Sequence, residues 1–367
     1  AAGAFALPAI DGDALVRLSA PGYLDVWRRT SVVATAGTAP SETLFDARLT
    51  PVAAAAAGVA KDGGALFTHE GPGGGAGTRV TLFVPPGSVP EDTGVTLTPR
   101  SPQGLPVLPP LGWSVAGALQ IRLAGPAGEP VDPSSPLALS LPDQFGATLA
   151  TPLLLARLDD AGLAWIAEGT AALVDGALEA FVTRPGDWAV LVADPSPFAP
   201  PALSPGAAIE GVALPAQDPL ESATVVASPT DVLASQTARV SLSVVSPAPV
   251  PSGFPVQCLV TEELTLLDGS TSAAPPYLAD LVLQRRGDGT TGLAISVRAS
   301  DAARRAALSI GWERFAVRKF PFEIRQGTVV SGSGGTVAGP SGWCLSLPAG
   351  AVGAATSVTL KPFSPAD

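Results

Sequence analysis

Few side chains in this sequence could do chemistry. His69 is the one histidine, and Cys258 and Cys344 are the two cysteines. A serine or cysteine nucleophile needs a positioned base, and His69 would have to supply it alone. It follows Phe67-Thr68 and precedes a glycine-rich stretch, so it reads as a solvated loop residue. A tetrahedral N/S metal shell cannot be assembled from one histidine and two distant cysteines without carboxylates. The acidic pairs are Asp11/Asp13, Glu91/Asp92, Asp159/Asp160 and Glu262/Glu263. Glycoside hydrolysis needs two carboxylates facing each other across a cleft, whereas adjacent strand residues such as Glu262 and Glu263 point to opposite faces. Asp11/Asp13 and Asp159/Asp160 read as turns. No catalytic, cofactor-binding or metal-ligating residue is assigned, and the chain is not expected to be an enzyme.

Three further stretches have a simpler reading than a functional one. Residues 71–77 (GPGGGAG) lack the Lys-Ser/Thr and helix start of a phosphate loop and read as a flexible hairpin end. Arg286-Gly287-Asp288 spells an adhesion tripeptide, but Asp288-Gly289 is also a turn signal between two apolar runs. Trp312, Phe315, Phe320 and Phe322 could form a sugar platform, and core packing accounts for them better. Cys258 (in PVQCLV) and Cys344 (in GWCLSL) sit in strand-like runs. They are either two buried thiols or, in an exported protein, one disulfide.

The composition points to many short strands. Apolar residues make up 46% of the 367, aromatics only 5%, and there are 40 Gly and 39 Pro spread along the chain between Val/Leu/Thr runs. That pattern suits an all-β protein with frequent turns. Only residues 300–308 (SDAARRAAL) read as a short helix. Charged residues are 14% and the net charge is −11, without the basic stripe that nucleic acid requires. No stretch approaches the roughly 20 apolar residues of a membrane-spanning helix. Residues 196–205 (SPFAPPALSP) form a proline-rich stiff linker, expected to mark a domain boundary.

A repeat organises the sequence. Residues 63–102 and 334–365 share an opening Gly-Gly, a strand ending in Pro-x-Gly-x-Val (Pro85 to Val89, Pro348 to Val352), and a Val-Thr-Leu-x-Pro run (Val95 to Pro99, Val358 to Pro362). The stretch Val84-Pro85-Pro86-Gly87-Ser88-Val89 resembles the signature of ZU5 domains, which implies a β-sandwich. Some ZU5 domains cleave themselves at a His-Phe-Ser site. That order is absent around His69, so self-cleavage is not expected. At the start, Gly3-Ala4-Phe5, the alternating residues 14–19, and Ala20-Pro21-Gly22-Tyr23 resemble the later strands of a carboxypeptidase regulatory-like domain, a small β-sandwich of bacterial surface proteins.

Four units are therefore expected: a partial carboxypeptidase regulatory-like β-sandwich at 1–52, a ZU5-like β-sandwich at 63–195, a further β-sandwich at 206–330, and the start of a second ZU5-like repeat at 334–367. Trp113, Trp165 and Trp188 are expected in the core of the second. Both outer units look incomplete. The chain is thus expected to be a piece of a longer tandem array, or a subunit completed by strand exchange with copies of itself. Abundant Ala, Gly and Pro, with Arg far in excess of Lys, suit a GC-rich bacterial genome. The expected role is a structural segment of a long exported cell-surface or extracellular protein, with a filament as one form it could take. The second reading is an adhesin or a carbohydrate-binding accessory region, with a polysaccharide as partner.

Overall fold

The structure is a computed structural model. It describes residues 12–32, 49–53, 58, 65–70, 79–90, 92–228, 237–260, 264–266, 277–299, 305–312, 315–323, 328–330, 332–338, 344–353 and 356–358. The protein is all-β, with its strands in separate antiparallel sheets. No helix among the described residues is long and apolar enough to cross a membrane.

Strands β1 (Gly12–Leu18) and β2 (Val26–Val32) form an antiparallel hairpin. Gly12 and Asp13 are already in β1, so the expected Asp11-Gly12-Asp13 turn is not there, and Asp11 lies outside the described residues. The chain turns at Pro21-Gly22, where Gly22 has φ 79°, a left-handed conformation that glycine adopts without a Cβ clash.

A ten-stranded sandwich follows: β3 (Ala65–Glu70), β4 (Arg79–Val84), β5 (Gly94–Pro99), β6 (Trp113–Ala124), β7 (Leu137–Pro142), β8 (Leu154–Asp159), β9 (Ala164–Thr170), β10 (Ala172–Val174), β11 (Ala177–Val182) and β12 (Gly186–Ala193). One sheet runs β10-β11-β7-β4-β3 and the other β5-β6-β12-β8-β9. Strict alternation sets their inner faces. Leu137, Leu139 and Leu141 point inward from β7, as do Val80, Leu82 and Val84 from β4, because successive side chains alternate across a strand. They meet Val95, Leu97, Leu119, Ile121 and Trp188 of the facing sheet in one core. Each buried aliphatic side chain contributes about 1.5–3 kcal/mol relative to exposure.

The second sheet also has a covered outer face. Leu105, Trp113, Val115, Ala156, Leu158, Trp165, Leu191 and Ile209 form a second apolar cluster there. The three expected core tryptophans thus divide between two cores: Trp188 is in the first, Trp113 and Trp165 in the second. Each indole N–H finds a carbonyl, that of Arg184 for Trp188, Glu210 for Trp113 and Val107 for Trp165.

Ile209 belongs to that cluster because the proline-rich stretch does not release the chain. Residues 206–212 run back along the free edge of β9. Ala167 N donates to Ala207 O at 2.9 Å, Ile209 N to Trp165 O at 2.7 Å, and Val212 N to Leu111 O at 3.0 Å. The contact includes an isolated bridge, Ile166 to Ala208. It covers backbone groups that would otherwise form an exposed sheet edge.

A second pair of sheets contains β13 (Thr224–Ser228), β14 (Thr237–Val245), β15 (Pro255–Val260), β16 (Leu264–Leu266), β17 (Tyr277–Val282), β18 (Gln284–Arg285), β19 (Thr291–Ala299), β20 (Arg305–Trp312) and β21 (Phe315–Glu323). Their orders are β13-β14-β19-β16, with β18 also on β19, and β17-β15-β20-β21. The expected hairpin between residues 281–284 and 293–297 is only two pairs long, Gln284 to Gly292 and Arg285 to Thr291. Before it, β17 crosses to the other sheet and pairs with β15. The helix expected over 300–308 is not formed where it is described: Arg305–Leu308 are strand, paired with residues 320–323. Pairing of all four to β21, and of Leu308 to β15 as well, overrides a local preference for helix.

The last strands are β22 (Thr328–Val330), β23 (Gly335–Ala338), β24 (Cys344–Leu347) and β25 (Thr356–Val358). They reproduce the start of the sandwich. β23 pairs β24 as β3 pairs β4, and Pro348-Ala349-Gly350 turns as Pro85-Pro86-Gly87 does. Ala351 N donates to Pro348 O at 3.1 Å and Ser88 N to Pro85 O at 3.2 Å, with φ 80° at Gly350 and 73° at Gly87. The registers match when Gly335, opposite Leu347, stands where Ala65 stands opposite Val84. Val337 then occupies the buried position of Phe67. The copies are therefore offset by one residue from the alignment that superposes their Gly-Gly pairs.

Candidate functional site

The densest polar constellation among the described residues lies where the two sandwiches meet. It is built from strand ends and turns. Asp194 follows β12, Ser252 sits in the turn before β15, Gln284 and Arg285 form β18, Ser114 is in β6, and Gln103 is in a single 3-10 turn, Pro102–Gly104. Asp194 is 5% exposed. Its carboxylate accepts Ser252 N at 2.6 Å, Ser252 Oγ at 2.7 Å and Arg285 Nε at 2.9 Å. The Arg285 Nη2 donates to Ala193 O at 2.8 Å, and its guanidinium stacks 5.2 Å from the Phe145 ring centre.

Around this centre the contacts run from side chain to backbone. Gln103 Oε1 accepts Val282 N at 3.0 Å while Gln103 Nε2 donates to Val282 O at 2.8 Å, an amide pair that completes β17's last residue. Gln284 Oε1 accepts Val115 N at 2.8 Å. The Ser114 and Ser252 hydroxyls are 2.6 Å apart. Such bonds fix position as well as energy, since a buried donor that loses its partner costs about 1–3 kcal/mol. The β1–β2 hairpin joins the same region. Arg28, 2% exposed, donates to Leu105 O and Gln103 O, each at 3.1 Å. Trp27 N donates to Pro106 O at 2.6 Å.

A second buried charge pair lies on the covered outer side of the β5-β6-β12-β8-β9 sheet, the side that Ala189 faces while Trp188 faces the core. Arg100 Nε is 2.7 Å from Asp187 Oδ1, with side-chain exposures of 1% and 9%. Burial pushes the Asp187 carboxyl up and the Arg100 guanidinium down, and their mutual attraction opposes both.

The residues singled out from the sequence are scattered. His69 is in β3, paired with Val80, not in a loop; the strand continues past the point where its apolar residues end. Residues 71–77, Glu91, Glu262 and Glu263 lie outside the described residues. Asp92 has φ 64° in a turn. Asp159 closes the β8–β9 turn by accepting Gly162 N at 2.9 Å. Cys258 lies in β15 and Cys344 in β24. Trp312 ends β20, while Phe315, Phe320 and Phe322 are in β21.

The Arg286-Gly287-Asp288 tripeptide takes part in the junction. Gly287 N donates to Phe145 O at 2.7 Å, and a Cβ at Gly287 would overlap Gly146 O. Glycine is needed there for close backbone approach. Asp288 turns back on its own loop, accepting Thr290 N at 2.9 Å and Thr290 Oγ1 at 2.7 Å. Sequence reasoning missed Arg28, Gln103, Asp194 and Arg285. Only their long-range partners distinguish these four from solvated polar residues.

Comparison with protein-family models and with curated proteins finds no match. Among solved structures, the N-terminal domain of the Streptococcus gordonii adhesin Sgo0707 aligns over 87% of this chain and 92% of that one, at 8% identity and a TM-score of 0.19. The native conformation of E. coli alpha-2-macroglobulin aligns over 91% of this chain and 25% of that one, at 14% identity and a TM-score of 0.16. At these scores neither is a shared fold, and neither bears on what the chain does.

Proposed function

We propose that the chain is a structural segment of an exported bacterial cell-surface or extracellular protein, in which successive β-sandwiches are held at a fixed attitude. It acts through packing and edge contacts, not through catalysis. The observation that carries this reading is the Asp194–Ser252–Arg285 interlock. A flexible linker would leave two domains to move independently. Here the intervening residues are bonded to β9, and buried side chains of one sandwich complete the backbone of the other. The composition supports the setting: low charge, frequent Gly and Pro, and an abundance of β-strand. Cys258 in β15 and Cys344 in β24 are two thiols or one disulfide, which non-reducing mass analysis after thiol alkylation reads directly.

The test is location and stiffness together. Antibodies against the chain should label intact cells or the culture medium. Small-angle scattering should show one rigid particle whose dimensions do not change with temperature below unfolding. Recovery from the cytosol alone, or scattering from two bodies moving independently, would overturn the proposal.

A further inference from the structure

A groove opens between the β1–β2 hairpin and the covered face of the first sandwich. It encloses about 370 Å³ and is lined by Leu15 and Trp27 of the hairpin, Val107 and Pro110 of the loop before β6, and Leu163 and Trp165 around the start of β9. That volume is in the range of small-ligand sites. The lining side chains carry donors and no acceptors. Besides aliphatic groups there are two indoles and the guanidinium of Arg28, which donates to the carbonyls of Gln103, Leu105 and Pro106.

This face already shows how an indole holds an extended stretch. Residues 105–110 (LPVLPP) have three prolines in six positions, and Leu105 at their start has φ −63° and ψ 144°, the polyproline II region. Trp165 Nε1 donates to Val107 O in that stretch at 2.9 Å. Trp113 Nε1 does the same for Glu210 O at 2.8 Å, in the stretch that runs along β9. Trp27 is the third indole here. It is half-buried, and its ring is held with Arg17 5.4 Å from its centre while Arg17 Nε donates to Asp25 at 3.0 Å. Among the described residues its own N–H has no acceptor.

We infer that the groove binds an uncharged, proline-rich peptide segment of a partner protein, with a carbonyl of the segment accepting the Trp27 indole N–H. A lining of donors selects an occupant of acceptors. Each proline offers a carbonyl and no N–H, so it brings no donor to be stranded among Leu15, Val107 and Leu163. A polyproline II segment is also extended before it binds, and loses little conformational freedom on docking. A sugar brings hydroxyl donors, which would meet apolar side chains with nothing on them to accept. The inference is independent of the proposed cellular role, since it concerns a site on the purified chain.

Fluorescence anisotropy tests it, with a labelled synthetic peptide of the sequence of residues 105–110 titrated with the full chain. The peptide should saturate with a Kd below about 1 mM. The same peptide with its three prolines replaced by alanine should bind about fivefold more weakly, because it adds three N–H groups and has more chain freedom to lose. Trp27→Phe keeps an aromatic ring beside Arg17 and removes the N–H, and should weaken binding about fivefold. Leu15→Ser, at a site 44% exposed, should weaken it too and leave the circular dichroism spectrum unchanged. No saturation below about 1 mM, equal binding of the two peptides, or an affinity that neither variant moves would overturn the inference.

Discussion

The carboxylate of Asp194 accepts both the backbone N–H and the hydroxyl of Ser252, at 2.6 and 2.7 Å, across a separation of 58 residues. One buried side chain at the end of β12 therefore fixes the turn that starts the second sandwich's β15. Asp194→Ala removes the acceptor and leaves the Ser252 N–H and the Arg285 Nε without it. We expect a loss of about 3 kcal/mol, read by urea denaturation. Asp194→Asn keeps one acceptor oxygen and should lose less. Because the damage is at the junction, the Ala variant should also split a single unfolding transition into two. One undivided transition at unchanged midpoint would show that the interlock does not couple the sandwiches.

Arg100 and Asp187 form a pair that costs more to break than to remove. With side-chain exposures of 1% and 9%, neither has enough water to replace its partner. Asp187→Ala should destabilise by about 3–5 kcal/mol, because a buried guanidinium is left uncompensated. Replacing both, Arg100→Met with Asp187→Leu, should recover most of that loss. The Arg100 Nη1 also donates to Gly104 O at 2.8 Å, so recovery is expected to fall short of wild type by about 1 kcal/mol. Guanidinium denaturation of the three variants separates the two contributions.

At Asp288 the prediction concerns pH. The Thr290 hydroxyl, and then its backbone N–H, hold the carboxyl below its ordinary 3.8. A depressed folded pKa means that the ionised form stabilises the fold. That contribution is present above 3.8 and is lost as pH falls through the folded value. Thr290→Val removes the hydroxyl and keeps the N–H, so the Asp288 pKa should move up towards 3.8 without reaching it. Carbon-detected NMR titration measures this. No movement would mean that the hydroxyl bond does not hold in solution.

Alternation made much of the fold legible. Val80-Thr81-Leu82-Phe83-Val84 and Leu137-Ala138-Leu139-Ser140-Leu141 announce their inward faces, and both are strands of the first core. What local sequence could not show was set by distant partners. Arg305–Leu308 are strand because β21 pairs all four and β15 reaches Leu308. The proline-rich stretch leads into residues that stay on the sandwich because β9 offers an open edge and Trp113 an indole N–H for Glu210 O. Asp194 and Gln103 have no neighbours in sequence that reveal their role. Their significance comes from Ser252 and Val282, 58 and 179 residues away.

The repeated Pro-x-Gly turn gives a final expectation. Gly87 and Gly350 have φ of 73° and 80°, and a Cβ at either would meet open space. Substitution should therefore cost backbone strain alone. Alanine in this left-handed region costs about 1–2 kcal/mol, and asparagine less, because it enters the region more readily. In the first copy the turn is also tied to residue 134: Ser134 N donates to Ser88 O at 2.7 Å and Ser134 Oγ to Gly87 O at 3.2 Å. A turn displaced by Gly87→Ala would lose those bonds as well. The second copy's turn has one such tie, Gly350 N to Gly332 O at 2.8 Å, against these two in the first, so Gly87→Ala should destabilise more than Gly350→Ala, with Gly87→Asn between Gly87→Ala and wild type. Thermal unfolding of the three variants orders them. Equal losses at Gly87 for alanine and asparagine would mean that crowding, not the left-handed backbone, decides the site.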